Sequence, residues 1–175
     1  MRHKTLKLNA TEKQVEETFN FPYNVTKDHK LREIQLILHN ILYTKTKLLK
    51  IGKVESSLCS FCSSSPETLE HLFVYCTCTQ KFWIDLYDFI ECTPTITIPN
   101  ILYGQVNGLT TLLESLAILI GKKIIYYNSL KETIPHVKEA VYDLKSHMET
   151  DFYYNRIIPR NMEKWNPVIH KFNNL

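Results

Sequence analysis

Residues 59–76 read CSFCSSSPETLEHLFVYC, and the rest of the chain is organised around this stretch. It has the pattern Cys-x2-Cys-x8-His-x4-Cys, formed by Cys59, Cys62, His71 and Cys76. Zinc binds four such sulfur and nitrogen ligands in a tetrahedron, and a set without an open position is typical of a structural site rather than a catalytic one. The pattern therefore predicts structural Zn²⁺ in a short knuckle.

The residues between these predicted ligands favour a turn followed by a helix. The two-residue gap between the first two cysteines is typical of a tight turn that presents both sulfur atoms to one ion. Ser64 or Ser65 is a candidate helix cap, and Pro66 suits the first helical position. Glu67 completes a Ser-x-x-Glu capping box with Ser64. His71 then falls in the second turn of the predicted helix.

A regular helix after His71 would not place Cys76, the last predicted ligand, on the same side as His71. Five residues of ideal helix rotate a side chain by about 500°, which leaves Cys76 roughly 140° away from His71. If both residues bind one ion, the helix must unwind near Val74 and Tyr75. Cys78 is a second candidate for the fourth ligand. The alternative to a metal site is a set of reduced thiols scattered through a helical protein.

Composition favours an intracellular, helical protein. The chain has 175 residues, 44% of them hydrophobic, with only four glycines and seven prolines. Five cysteines are an odd count that does not indicate a disulfide framework. The polar N-terminal stretch does not resemble a signal peptide, so we expect the nucleus or the cytoplasm. The most apolar window, 112–127, is interrupted by charges and is shorter than the roughly 20 residues that a bilayer requires, so it predicts a core helix and no membrane partner.

Apolar periodicity predicts an all-α fold, with the zinc knuckle embedded in a small helical domain and followed by a helical hairpin. A loosely ordered arm is expected at 1–26, a helical zinc-binding domain at 27–92 and a C-terminal helical region at 93–175. The first domain helix would begin at Thr26, with an apolar face at Leu31, Ile34, Leu38, Ile41 and Leu42. A short helix at about 46–51 would end at Gly52. The hairpin helices would span about 109–130 and 133–156.

Charge is distributed unevenly around the zinc pattern. Residues 27–53 contain seven lysines and arginines against two carboxylates, whereas residues 54–92 contain one lysine against six carboxylates. Four of the basic residues crowd the turn before the first ligand, namely Lys45, Lys47, Lys50 and Lys53. Two interpretations remain open: the basic and acidic segments pair with each other, or the basic segment faces a phosphate backbone.

Sequence patterns of enzymes are missing. There is no glycine-rich phosphate loop, no Gly-x-Ser-x-Gly elbow and no His-Glu-x-x-His pair. The deaminase pattern of His-x-Glu with Pro-Cys-x-x-Cys is missing as well. We therefore expect a protein that is not an enzyme and has no small-molecule substrate.

A family resemblance covers roughly residues 20–167. The ordered segments that carry it are Lys30-Leu31-Arg32-Glu33-Ile34-Gln35, Leu38-His39-Asn40-Ile41-Leu42, Lys50-Ile51-Gly52, Leu58-Cys59-Ser60-Phe61-Cys62, Pro66-Glu67-Thr68-Leu69-Glu70-His71-Leu72-Phe73, Cys76, Phe82-Trp83, Ile101-Leu102-Tyr103-Gly104 and Lys164-Trp165. In this order they resemble the zinc-binding C-terminal region of reverse transcriptases from non-LTR (LINE-type) retrotransposons. Two departures stand out: Thr77 replaces a usual proline after the last cysteine, and Leu36 and Ile37 stand where relatives often have a basic residue.

The resemblance implies a Cys-Cys-His-Cys zinc module that follows a polymerase domain and helps to hold the element RNA or the target DNA. Because the first helix lacks the basic residue, the four lysines named above become the expected nucleic-acid-binding residues. With no polymerase or endonuclease residues in the sequence, the chain is interpreted as a non-catalytic fragment or relic. The alternative is a structural module that docks on a polymerase domain, with zinc purely structural. A decayed reading frame without selected activity is also compatible with the sequence.

Overall fold

The computed structural model describes residues 12–40, 42–104, 111–156 and 162–172, with the side chains of 12–15 and 36–40 outside this description. Within these ranges the chain forms helices and no strand, which confirms the all-α prediction. The α-helices are α1 (Glu12–Val25), α2 (His29–Asn40), α3 (Lys45–Lys50), α4 (Thr77–Phe89), α5 (Ile98–Tyr103), α6 (Leu112–Lys131), α7 (Val137–Asn155) and α8 (Ile169–Phe172). A π-helical turn spans His71–Tyr75, and a 3-10 turn spans Glu163–Trp165.

The start of α2 differs from the sequence prediction. The carboxylate of Asp28 accepts hydrogen bonds from the backbone N–H groups of Lys30 (2.8 Å) and Leu31 (3.4 Å), so Asp28 is the N-cap. The prediction of Thr26 as the cap is wrong, because Thr26 lies two residues before the cap and its hydroxyl accepts the N–H of Asp28. Of the predicted apolar face, Leu31, Ile34 and Leu42 are buried, while the side chains of Leu38 and Ile41 lie outside the described part.

Helix α6 is the centre of the fold. It is buried on nearly every side and packs against α1, α2, α4 and α7, as the apolar window at 112–127 predicted. Helix α7 returns along it to complete the predicted hairpin. In the described part of the chain no helix is long and apolar enough to cross a membrane.

The division of the chain at 26 and 92 stays a prediction. Within the expected N-terminal arm, α1 packs against α2, α5 and α6, and Phe21 belongs to the buried core. The C-terminal segment also contacts the bundle: Trp165 is fully buried, and its indole N–H donates to the carboxylate of Asp151 at 3.1 Å. One apolar cluster therefore includes residues from both ends of the described chain.

A lysine lies at the middle of this core. Lys122 of α6 is fully buried, and its ammonium donates to the side-chain oxygen of Gln35 (2.7 Å) and to the carbonyl of Leu102 (3.2 Å). The ring of Phe21 lies 5.4 Å away. Burial lowers the pKa of Lys122 well below its ordinary value of 10.5, because these neutral partners replace only part of the hydration of the charged form.

This pKa makes stability depend on pH. The unfolded chain binds the proton more tightly than the folded chain, so the free energy of unfolding should rise with pH between the folded pKa and 10.5. The slope from this one group is at most about 1.4 kcal/mol per pH unit. Denaturant unfolding of a Lys122→Met variant should show a flatter pH profile. The exposed Lys131→Met variant should keep the original profile, and equal profiles for all three proteins would contradict the expectation.

Candidate metal centre

The first two cysteines lie on a short hairpin. Leu58 and Pro66 form an isolated antiparallel bridge, and the backbone N–H of Cys59 donates to the carbonyl of Ser65 at 2.8 Å. The chain between them turns tightly, with the N–H of Ser63 donating to the carbonyl of Cys59 at 3.0 Å. The predicted knuckle is present, and both sulfur atoms are presented from one turn.

The helix that follows begins later than the capping box predicted. The hydroxyl of Thr68 accepts the backbone N–H of His71 at 3.1 Å, and the carbonyl of Thr68 accepts the N–H of Leu72 at 2.9 Å. Thr68 is therefore the N-cap of the helix that follows the knuckle, and the assignment of this role to Ser64 or Ser65 is wrong. Glu67 lies before the helix and has different partners, described below.

A π-helical turn brings the histidine and the last cysteine together. The N–H of Cys76 donates to the carbonyl of His71 at 2.7 Å, which closes a ring of i to i+5 type. This wider turn places residue 76 above residue 71, whereas a regular helix would rotate it away. Cys76 itself has extended backbone angles (φ −65°, ψ 129°) and precedes α4. The structure thus confirms the predicted unwinding of the helix near Val74 and Tyr75.

The four predicted ligand atoms meet at one point. The sulfur atoms of Cys59, Cys62 and Cys76 and a ring nitrogen of His71 all lie within 4.8 Å of one another. The Cys59 and Cys76 sulfurs are 3.9 Å apart, and the Cys62 sulfur lies 3.3 Å from Nε2 of His71. Tetrahedral zinc with its usual bond lengths would separate two sulfurs by about 3.8 Å and a sulfur from a nitrogen by about 3.6 Å. The arrangement fits a single zinc ion.

The hydrogen bond between Cys59 and Cys76 shifts the pKa values of these two buried thiols in opposite directions. The contact with Cys59 lowers the pKa of Cys76 to about 4, and the backbone N–H groups of Thr79 and Cys78 at the start of α4 act in the same direction. The same contact, together with burial, raises the pKa of Cys59. The thiol of Cys59 therefore keeps its proton more readily than that of Cys76. Zinc would displace this proton, because a thiolate and not a thiol is the metal ligand.

The second cysteine lies nearer the surface. Burial acts to raise the pKa of Cys62, but hydrogen bonds from Ser64 outweigh it, so that the pKa falls below its ordinary value of 9.0. The hydroxyl of Ser64 lies 3.2 Å from the Cys62 sulfur. Ser64 therefore contributes to the metal centre and not to the helix cap.

The two remaining cysteines lie outside the group of four. The sulfur of Cys78 points to the carbonyl of Phe61 at 3.8 Å, and that of Cys92 to the carbonyl of Ile90 at 3.5 Å. Of the two candidates for the fourth ligand, the structure brings Cys76 and not Cys78 into the cluster.

Glu67 is a residue of this site that sequence reasoning missed. Glu67 is 3% exposed, and its carboxylate accepts the backbone N–H of Ser60 (2.9 Å), the hydroxyl of Ser60 (2.7 Å) and the backbone N–H of Lys45 (2.9 Å). It thus joins the cysteine turn to the start of α3. The only local signal was the Ser-x-x-Glu pattern, which indicated a different role.

The four predicted nucleic-acid-binding lysines lie on α3 and the turn after it. The helix ends at Gly52 as predicted, since the N–H groups of Gly52 and Lys53 bond back to Leu49 (3.0 Å) and Leu48 (2.9 Å) in a Schellman motif. The ammonium of Lys45 pairs with Glu132 at 2.7 Å. The other three lysines are exposed, namely Lys47, Lys50 and Lys53. We refer to these three as the lysine surface.

The family comparison agrees with this geometry. Residues 5–83 match the family described as zinc-binding in reverse transcriptase. No curated protein and no solved structure matches the chain significantly. The family binds zinc, and the cluster of three cysteines and one histidine is able to hold a metal ion. Residues 5–83 are therefore similar to the zinc-binding domain of reverse transcriptases, and the four clustered ligand residues lie within the matched segment.

Proposed function

We propose that this zinc-binding domain holds RNA or DNA through the lysine surface, with zinc in a structural and not a catalytic role. The observation that carries the proposal is the exposure of Lys47, Lys50 and Lys53 on α3 and the turn after it, a segment that Glu67 connects to the cysteine turn. Lys47 and Lys50 are three residues apart and share one face of α3. Phosphate groups are the ligands that such a cluster of ammonium groups favours.

The competing interpretation, that the basic and acidic segments pair with each other, receives no support from the described contacts. Among the residues that the structure describes, no ion pair joins 27–53 to 54–92. Lys45 pairs with Glu132 of the α6–α7 connection, and Lys81 pairs with Asp85 within α4. The ammonium of Lys47 donates to the carbonyl of Leu42 at 3.0 Å and still lies on the surface.

An aromatic side chain lies close to the lysines in sequence. Tyr43 is 56% exposed and suits stacking against an unpaired base. Phe61, the aromatic residue between the first two ligands, is 7% exposed and belongs to the core, so its side chain does not suit stacking. Exposed lysines together with Tyr43 favour a single-stranded ligand, whose bases are accessible for stacking. The finer assignment to non-LTR elements rests on the order of the sequence motifs, and the interpretation as a fragment or relic stays a prediction.

The salt dependence of binding tests the lysine surface. A Lys47→Ala/Lys50→Ala double variant should bind an RNA oligonucleotide more weakly than the parent. The plot of log affinity against log salt should also become less steep by about 1.4 to 1.8, since each lost phosphate contact removes about 0.7 to 0.9 from the slope. Fluorescence anisotropy at several salt concentrations measures both quantities.

A matched control is available at the end of α6 and the start of α7. A Lys131→Ala/Lys138→Ala variant changes the net charge equally at exposed positions outside the zinc-binding domain. It should keep the parent slope. If both double variants change the slope equally, the binding is a property of net charge, and the assignment to the lysine surface fails.

Exposed apolar side chains favour a second candidate function, docking onto a protein such as a polymerase domain. Tyr127 and Leu130 in the last turns of α6 and Ile134 after its end are 47%, 60% and 61% exposed. Surfaces of this kind are often buried by a partner. Binding to RNA that does not depend on salt, together with concentration-dependent self-association, would favour this function over the first.

A further inference from the structure

Helix α3 has few stabilising interactions within its own segment. It has six residues, and none of them is buried. A helix this short is unstable in water without outside contacts. Its N-cap residue, Thr44, makes no capping hydrogen bond through its side chain. The orientation of the lysines on α3 must therefore depend on contacts from elsewhere in the fold.

Glu67 supplies these contacts from 22 residues along the chain. Its carboxylate accepts the first N–H of α3, that of Lys45, at 2.9 Å. Its backbone carbonyl accepts the hydroxyl of Thr46 at 2.7 Å and the N–H of Thr46 at 3.4 Å. A carboxylate at a helix N-terminus also interacts favourably with the helix dipole. Glu67 therefore caps α3 in place of Thr44.

The other oxygen of the same carboxylate holds the metal turn. It accepts both the N–H and the hydroxyl of Ser60, which lies between the ligands Cys59 and Cys62. Within the described chain no ion pair includes Glu67, so these hydrogen bonds are what stabilise its buried charge. The position of Ser60 depends on its two neighbouring ligands, and zinc is what would fix them.

We propose that Glu67 is a positioning residue that couples zinc binding to the order of α3, so that metal binding holds the lysine surface in place. The coupling passes from the cysteine turn through Ser60 to Glu67, and from Glu67 to the first turn of α3. The part of this proposal that concerns nucleic acid rests on the proposed function. The coupling between zinc and α3 does not.

Hydrogen exchange on the zinc-loaded full chain tests the coupling. A glutamine at position 67 can accept only with its oxygen, so in Glu67→Gln its amide N–H₂ faces either Ser60 or Lys45 as a second donor. The backbone amides of Lys45 and Thr46 should then exchange at least about tenfold faster. The control variant Glu55→Gln removes the same charge from an exposed position before the knuckle and should leave these rates unchanged.

A second variant tests the pathway from the metal side. Ser60→Ala removes one hydrogen bond to Glu67 and leaves the bond from Glu67 to Lys45 in place. We expect the Lys45 amide to exchange a few-fold faster in this variant, although the change lies 15 residues away in sequence. Amides of α6 serve as the folding control and should keep the parent rates. Unchanged Lys45 exchange in Glu67→Gln, or in Ser60→Ala, overturns the coupling.

Zinc and nucleic acid titrations complete the experiment. Glu67→Gln should bind zinc about 10- to 100-fold more weakly, as expected for a residue that supports the ligands. It should also bind an RNA oligonucleotide more weakly than Glu55→Gln does. If the parent does not bind RNA while the exchange results hold, the proposed function fails and the coupling stands. If RNA binding holds while the exchange rates do not change, only the coupling fails.

Discussion

The Cys76→Ser variant is expected to lose its zinc and to leave the knuckle unfolded. Cys76 is fully buried, and its sulfur lies 3.9 Å from that of Cys59. The sulfur also accepts hydrogen bonds from backbone N–H groups at the start of α4. A neutral serine cannot replace a thiolate in this position. Structural zinc sites contribute on the order of 10–16 kcal/mol to folding. That is comparable with the entire stability of a typical domain, about 5–15 kcal/mol. Metal analysis should find one zinc per parent chain and none in the variant.

Two other thiols provide the controls. Cys78→Ser and Cys92→Ser change cysteines whose sulfurs point to backbone carbonyls outside the cluster, and both variants should keep one zinc per chain. Near-ultraviolet circular dichroism, before and after addition of a chelator, reports whether the knuckle is folded. If Cys78→Ser loses zinc while Cys76→Ser keeps it, the assignment of the fourth ligand is wrong.

The metal centre could be predicted from the sequence because its determinants are local. The spacing of the four ligands specifies which side chains can reach one ion. The mismatch between that spacing and a regular helix predicted the unwinding, which the structure realises as a π-helical turn from His71 to Tyr75. Gly52 ended α3 as predicted for the same reason, since its positive φ of 68° is a property of one residue in one turn.

Residues whose partners lie far along the chain could not be predicted. The carboxylate of Glu67 accepts the backbone N–H of Lys45, 22 positions earlier, and the ammonium of Lys122 donates to Gln35, 87 positions earlier. In each case the sequence showed only a polar residue next to apolar ones. A local pattern then assigned Glu67 to a capping box, and Lys122 was treated as a break in an apolar window. Only the fold shows that both are buried and hydrogen-bonded.

The burial of Phe61 could not be predicted from the sequence for a related reason. An aromatic residue between two ligands of an exposed knuckle is compatible with stacking on a base. The side chain instead turns inward and joins the main core, where its backbone carbonyl also accepts the thiol of Cys78. The knuckle is therefore packed against the helical bundle and is not an independent loop beside it.

Trp83 contacts both the segment that carries the metal ligands and the helical bundle. It is fully buried on α4, and its indole N–H donates to the carbonyl of Phe73 in the π-helical turn at 2.8 Å. The far edge of its ring lies against Gly121 of α6, so close that a Cβ atom there would be 2.4 Å from it. Phe82 packs edge-on against the same ring, with centroids 5.4 Å apart. One side chain therefore joins the metal ligand segment to the central helix.

Trp83→Ala should accordingly destabilise the whole chain and not only α4. Removal of a buried tryptophan typically costs about 3–5 kcal/mol, because a cavity remains where the ring was. Trp83→Phe fills part of that cavity but leaves the Phe73 carbonyl without its donor, so a smaller loss of about 1–3 kcal/mol is expected. The exposed Ile84→Ala on the same helix should change the free energy of unfolding by less than about 0.5 kcal/mol.

Denaturant unfolding followed at two places distinguishes joint from separate unfolding. Cobalt absorption of the metal-substituted protein reports the knuckle, and far-ultraviolet circular dichroism reports the helices. In the parent the two transitions should coincide, because Trp83 packs against both units. In Trp83→Ala the metal signal should be lost at a lower denaturant concentration than the helical signal. If both transitions shift together by the same amount, the two units unfold as one without Trp83, and its proposed role in joining them is wrong.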